Sequence, residues 1–270
     1  MDSSRDEPGR CALSDPTPLS TVGLLAIESL WAPLGGGSPD DFLSSMEREW
    51  LSGIRHPRRR REWLGGRILA KYLLLSGASP SRVARIVGAG QLRSIPASEY
   101  RALNVLRGPR GAPEFRRRGA LAARALSLSH AGPWVVAALA ADGAIGVDCE
   151  RVEARHEAFV RRSFVEAERA WVARHAAPQG PSADWLHTLL WSFKEAAYKT
   201  GCVAGERAIE IQLRPDEGLP IGTPPRFEGR SRELMALNWR VNGLAPHFAC
   251  TALPGSVLVI VHFPGVRRCN

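Results

Sequence analysis

The chain has 270 residues, enough for one large domain or two small ones. Its 44% hydrophobic and 23% charged residues are ordinary for a globular protein, and its apolar runs are too short to span a membrane. Five scattered cysteines without a C-x-x-C spacing argue against a disulfide framework or thiolate metal site and point to a reducing cytoplasm; the net charge of +9 calls for an anionic partner, whether nucleic acid, phosphorylated cofactor or acidic protein.

Residues 1–20 are polar at first, carry no apolar signal-peptide core, and read as a disordered lead. Thr21 to Ile27 predicts a strand. Asp40 or Asp41 can cap a helix through Phe42, Met46, Trp50 and Leu51, broken at His56-Pro57. Pro57 then starts a second helix, which opens with Arg58, Arg59, Arg60 and Arg61 and carries an apolar stripe of Leu64, Ile68, Tyr72 and Leu75. Gly65 and Gly66 inside it cost about 1 kcal/mol each relative to alanine, a cost usually offset by close packing or by a ligand approaching the backbone. Ser79-Pro80 predicts a short helical piece through Val83 and Ile86, and residues 88–118 a loop with weak strand character. Ala125 to His130 alternates as a half-buried strand does; Trp134 to Ala140 is a second strand, and the Asp142-Gly143 turn leads to a third, so the three form an antiparallel meander. Glu157 to Arg174 is helical with a break near Ser163. Ser182 caps a long helix, 183–200, closed by Gly201. The remainder is strand-like at Ala208–Leu213, Leu237–Val241, His247–Ala252 and Ser256–Phe263, and no internal repeat is visible.

The acidic residues organise this pattern. In Ala144-Ile145-Gly146-Val147-Asp148-Cys149-Glu150 a buried strand would turn Ile145 and Val147 to the core and Asp148 and Glu150 to the opposite face. In Trp191-Ser192-Phe193-Lys194-Glu195-Ala196-Ala197-Tyr198-Lys199, Glu195 and Lys199 share a helix face. Strand against helix would bring three carboxylates together beside an ammonium group. Such a set repels itself unless a cation sits among it, and all-oxygen ligands suit Mg²⁺, which leaves positions for substrate phosphates.

These residues resemble the signature of the 4′-phosphopantetheinyl transferases, most closely the surfactin-synthetase-activating type: Gly146-Val147-Asp148-x-Glu150 followed by Trp191-Ser192-Phe193-Lys194-Glu195-Ala196-Ala197-Tyr198-Lys199. Upstream, Ser127-Leu128-Ser129-His130-Ala131-Gly132-x-Trp134-Val135-Val136 resembles that family's Ser-His motif. Gly111-Ala112-Pro113 stands where the family usually has Gly-Lys-Pro, and the Arg-rich helix ending Gly66-Arg67 has a counterpart. The motifs run in matching order over about residues 40–203.

The resemblance implies a mixed α/β (α+β) monomer of two similar pseudo-twofold halves, each a small, mostly antiparallel sheet packed with a long helix. Residues 21–143 would form an N-terminal half that binds the coenzyme A adenylate, and residues 144–270 a C-terminal half with the metal and catalytic residues. It implies Mg²⁺-dependent transfer of 4′-phosphopantetheine from coenzyme A to a serine of an apo acyl or peptidyl carrier protein, releasing 3′,5′-ADP, without nucleic acid or membrane. Asp148, Glu150 and Glu195 would be metal ligands, with Glu195 also a candidate base for the carrier serine. Lys199 would stabilise phosphoryl charge. Ser129, His130 and Arg58 would contact the 3′-phosphate, with Arg59 to Arg61 competing in register and Arg67 as readily structural. Ala112 departs from the family lysine, and Arg110 or Arg107 would replace its charge. Lys194, beside Glu195, points elsewhere, and Trp134 and Trp191 are core aromatics. Two other readings share parts of this pattern: a Mg²⁺-dependent phosphodiesterase or nuclease, and a basic nucleic-acid-binding module built on Pro57–Arg61.

Overall fold

The computed structural model describes residues 20–30, 38–81, 83–108, 111–117, 120–121, 124–178, 180–203, 207–214, 231–233, 235–237 and 239–266. β1 (Ser20–Ala26) leads through 3-10 turns at Ile27–Leu30 and Pro39–Phe42 into α1 (Ser45–Ser52) and α2 (Pro57–Leu75). β2 (Val83–Ile86), α3 (Ala89–Arg93), α4 (Ala97–Arg101), β3 (Leu103–Arg107), β4 (Pro113–Arg117) and β5 (Ala120–Leu121) follow. Next come β6 (Ala125–Ala131), β7 (Trp134–Ala140), β8 (Ala144–Arg151), α5 (Glu157–Ser163), α6 (Glu166–His175) and α7 (Ala183–Thr200). The chain closes with β9 (Leu213–Arg214), β10 (Ser231–Glu233), β11 (Met235–Leu237), β12 (Arg240–Val241), β13 (His247–Leu253) and β14 (Ser256–Phe263). The expected disordered lead lies outside the described residues, apart from Ser20. No described helix is long and apolar enough to cross a membrane.

Two sheets carry the architecture, with strand orders β10-β2-β1-β7-β6 and β11-β13-β14-β8. α2 covers one face of the first through Leu64, Ile68, Leu69 and Leu73, against Leu25, Val135, Ala137 and Leu139. α7 covers one face of the second through Leu186, Leu189, Leu190 and Phe193, against Phe248, Val257, Val259 and Val261. The remaining faces share a third core, in which Val22, Leu24, Val136 and Ala138 meet Ile145, Val147, Leu258 and Ile260. Both β8 and β14 are thus apolar on one face for the neighbouring sheet and packed on the other by a helix, which is why Val257 to Val261 reads as one continuous apolar run.

The structure corrects five of the local expectations. Ala208–Glu210, expected as strand, is a 3-10 turn, and β9 begins only at Leu213. Val83 to Ile86 is a strand, paired parallel to β1 with Val22 opposite Ala84; its β-branched ends suit a sheet better than a helix. The described residues between 88 and 117 form two short helices and the antiparallel pair β3–β4, anchored by buried Tyr100, Val105 and Phe115. The helix expected from Asp40 is split: Ser38 caps the Pro39–Phe42 turn, and Ser44 caps α1 through a reciprocal box with Glu47. The meander stops after β7, because β8 pairs with β14 and belongs to the other sheet. Where the two sheets meet, β6 offers serine hydroxyls instead of a ladder: Val147 N donates to Ser127 Oγ at 3.0 Å and Cys149 N to Ser129 Oγ at 3.1 Å.

A repeat absent from any simple reading of the sequence is plain in three dimensions. Glu47 accepts from Ser44 N (3.0 Å) and from Val105 N of β3 (2.8 Å). Glu168 accepts from Val165 N (3.0 Å) and from Leu213 N of β9 (2.8 Å). Each carboxylate is paired with a buried lysine of the long helix, Lys71 and Lys194 respectively. Lys71 also donates to Phe42 O at 3.2 Å, and Lys194 to Ser163 O at 2.7 Å. Arg48 and Arg169, one residue past each glutamate, donate to Leu43 O and Phe164 O. Burial lowers the pKa of both lysines, and the paired glutamates oppose that shift.

Glycine sets the helix-to-sheet distance in both halves. A methyl on Gly23 would crowd Leu73 of α2, and one on Gly146 would overlap the Ala196 carbonyl oxygen of α7. Gly65 meets Val135 and Leu30 tightly, whereas a methyl on Gly66 would find ordinary contacts with Leu128 and Val135. Gly146→Ala is therefore expected to destabilise by about 3 kcal/mol or more, because backbone must move, while Gly66→Ala gains up to about 1 kcal/mol from helix propensity. Urea unfolding of the two variants checks both signs.

Candidate active site

Gly146 brings β8 and α7 together, and the acidic residues follow from that contact. Two residues on from Gly146, Asp148 points to the same side of β8, where Lys199 Nζ reaches Asp148 Oδ1 at 2.6 Å. Lys199 spends its other two protons on Val147 O (3.2 Å) and Ser129 Oγ (3.3 Å). Ser129 in turn donates to Asp148 Oδ1 at 3.0 Å. Asp148 is 3% exposed, and its Oδ2 has no hydrogen-bond partner among the described residues. One carboxylate oxygen is clamped and the other is buried and open.

Glu150 and Glu195 flank this group. Burial raises the pKa of Glu150, the Asp148 and Glu195 charges add to it, and Arg155 opposes it. Burial also raises that of Glu195, with Asp148 adding and Lys199 opposing. Asp148 thus raises the proton affinity of both glutamates, and Glu195 adds to that of Glu150, so the three charges act on one another. Among the described residues, however, no three acidic, histidine or cysteine side chains already stand in chelating positions. Two cations hold the acids apart: Lys199 on Asp148, and Arg155, whose Nη2 lies 3.5 Å from Glu150 Oε2. The open Oδ2, the all-oxygen donor set and the unrelieved repulsion fit a hard divalent cation, with Asp148, Glu150 and Glu195 as the residues able to hold it.

A second group lies on the other side of β6. His130 follows Ser129 and its side chain alternates to the opposite face, where Nδ1 lies 3.5 Å from Glu62 Oε2 of α2. Arg58 Nε donates to the other Glu62 oxygen at 2.8 Å. Glu62 is buried, while the Arg58 and His130 side chains are 61% and 53% exposed, so one carboxylate presents two basic groups at the surface. Arg60 is tied to Leu51 O at 2.8 Å and to Asp40 at 3.2 Å. Arg67 stacks on Trp63, its guanidinium carbon 3.4 Å from the ring centroid, and burial lowers its pKa to about 10. Arg110 lies outside the described residues. Arg107 packs along Gly111. Lys194 is fully buried against Glu168 and faces away from the acidic group.

Glu62 and Arg155 were missed in the sequence. The i, i+4 spacing of Arg58 and Glu62 on a helix was a usable signal for the first. Arg155 sits in coil after β8, where no periodicity reports direction.

A carboxyl whose pKa is raised by folding binds its proton more tightly when folded. Its contribution to stability is thus present at low pH and lost as pH rises from the ordinary carboxylate range, about 4.3, through the raised value. Metal-free Glu195→Gln, which cannot ionise, should melt above the wild type at pH 7, by roughly 2–4 °C per kcal/mol of repulsion relieved. The gain should vanish near pH 4; thermal melts in EDTA measure both, and an equal or lower melting point at pH 7 argues against mutual repulsion.

Comparison with known proteins bears on the same segment. No curated protein matches the chain. The strand with Asp148 and Glu150, and the helix with Glu195 and Lys199, both fall inside residues 144–219, which match the family model of the 4′-phosphopantetheinyl transferase superfamily.

Proposed function

We propose that the protein transfers the 4′-phosphopantetheine group of coenzyme A to a serine of an apo acyl or peptidyl carrier protein, in the manner of the surfactin-synthetase-activating transferases. The observation that carries this reading is the buried Asp148 carboxylate, with one oxygen clamped by Lys199 and Ser129 and the other open, inside the segment that matches the family. Asp148, Glu150 and Glu195 would hold Mg²⁺, which when bound supplies charge neutralisation at the coenzyme A diphosphate.

The chain's own groups divide the work. Arg58 and His130, carried together on Glu62, bind the 3′-phosphate end, and Arg110 stands in for the lysine that Ala112 lacks. The N-terminal half thereby anchors the adenylate, while the C-terminal half holds the reacting end. Glu195, through a carboxylate oxygen not on the metal, accepts the proton of the carrier serine as its oxygen attacks phosphorus. The bond that breaks joins that phosphorus to the bridging oxygen of the 3′,5′-ADP leaving group. Lys199 offsets the charge that develops there, releasing its longer contacts to Val147 O or Ser129 to do so. The basic surface of a +9 chain suits both a polyanionic cofactor and an acidic carrier protein.

The test is intact-mass analysis of several apo carrier proteins after incubation with the purified chain, coenzyme A and Mg²⁺. One added phosphopantetheine per carrier is expected, lost in Asp148→Ala with the fold retained by circular dichroism. Absence of any mass shift across the carriers, with the fold intact, would overturn the assignment; cleavage of a phosphodiester substrate instead would favour a hydrolase.

A further inference from the structure

His262 lies one residue from the end of β14 and is 3% exposed. The register of β13 on β14 sets the exposed His247 directly opposite it. Alternation puts both rings on the face that carries Ala249, Leu258 and Ile260, towards the first sheet and away from α7. Their ring centroids are 6.2 Å apart. His262 Nε2 lies 2.9 Å from Asp142 O in the turn between β7 and β8. A carbonyl oxygen has no proton to give, so Nε2 carries the hydrogen and Nδ1 keeps its lone pair. That Nδ1 is buried and has no hydrogen-bond partner among the described residues, which is costly for a buried acceptor. Burial lowers the pKa of His262 and the His247 charge adds to that, while the Asp142 carbonyl bond and carboxylate charge oppose it.

We propose that His247 and His262 form a metal site separate from the acidic group, one that takes Zn²⁺ or a similar transition-metal ion through two imidazole nitrogens. A ring whose one nitrogen donates to a backbone carbonyl while the other stands unprotonated is how a metal-binding histidine is held. Nitrogen–metal bonds of about 2.0–2.1 Å place two imidazole centres on one ion roughly 5–6 Å apart, so a small rotation of the exposed His247 ring closes the 6.2 Å separation. Imidazole suits Zn²⁺, Ni²⁺ and Cu²⁺, whereas Mg²⁺ takes oxygen. No third histidine, cysteine or carboxylate stands in chelating position among the described residues, so water completes the coordination. The ion would tie β13 to β14 and, through the Asp142 carbonyl, to the turn from which β8 runs to Asp148. The site shares no residue with the proposed transferase machinery and does not rest on that reading.

The experiment titrates Zn²⁺ into the full-length purified chain by calorimetry, in excess Mg²⁺ so that oxygen sites are already filled. His247→Ala, His262→Ala and Asp148→Ala are compared with the wild type. Zn²⁺ affinity should fall at least about tenfold in each histidine variant, since a lost ligand costs no less than a lost outer-shell partner, and should hold at the wild-type value in Asp148→Ala. Zn²⁺ should also raise the melting temperature of the wild type and leave that of His247→Ala unmoved, because an ion that binds only the folded chain stabilises it. His262 is buried and its replacement can unfold the chain; His247 is exposed, and His247→Ala then decides alone. Unchanged Zn²⁺ affinity in His247→Ala overturns the proposal. Loss of affinity in Asp148→Ala alone places the ion at the acidic group and overturns it too. A chain that binds Zn²⁺ through the histidine pair yet transfers no phosphopantetheine keeps this site and sinks only the functional reading.

Discussion

The absence of a side chain at Gly146 governs the site. With no methyl in the way, the backbone of α7 at Ala196 lies directly on β8. Everything acidic is then fixed by period: Asp148 and Glu150 follow at two-residue steps along the strand, and Glu195 and Lys199 flank Ala196 on the helix. Asp148, Glu150 and Glu195 are all largely removed from water, so repulsion between their charges is stronger. Lys199 and Arg155 relieve part of it, and a divalent cation would relieve the rest. Burial and mutual repulsion thus raise the proton affinity of Glu150 and Glu195, a common property of binding centres.

Much of this was legible because strand and helix periodicity, read together, place residues on faces. The Gly-x-Asp-x-Glu strand, its helix partner, the caps at Pro57 and Ser182, and the two-faced burial of β14 all follow from local pattern. What was hidden depends on distant pairing. Nothing local tells β8 to leave its neighbours β6 and β7 for β14, and nothing in Val83–Ile86 announces a parallel partner far earlier in the chain. Ser129 shows the same limit at the scale of one side chain. The motif marks it as important, but only the fold shows its hydroxyl beside Asp148 Oδ1, Cys149 N and Lys199 Nζ.

The two buried lysine–glutamate pairs are the other hidden organisers. An ion pair taken out of water is not by itself strongly stabilising. Here each glutamate also closes a helix cap and bonds to a distant strand, and each lysine also bonds to a carbonyl before that cap. One pair of charges thereby fixes four chain segments at once, and it does so under α2 and again under α7. Lys194 belongs to this framework even though it sits beside Glu195 in sequence, which separates its task from that of Lys199.

Because the framework occurs twice, the chain contains its own comparison. When Gly23 is set beside Gly146 and Lys71 beside Lys194 along the sequence, the paired glutamates bring Glu47-Arg48 and Glu168-Arg169 into matching roles. The same sequence offset sets Leu25 against Asp148, Ile27 against Glu150, Tyr72 against Glu195 and Ser76 against Lys199. What both copies keep is what the architecture demands; what only one copy keeps is what chemistry demands. A solitary sequence thus yields, from within itself, the distinction between scaffold and reagent that is ordinarily drawn from many relatives.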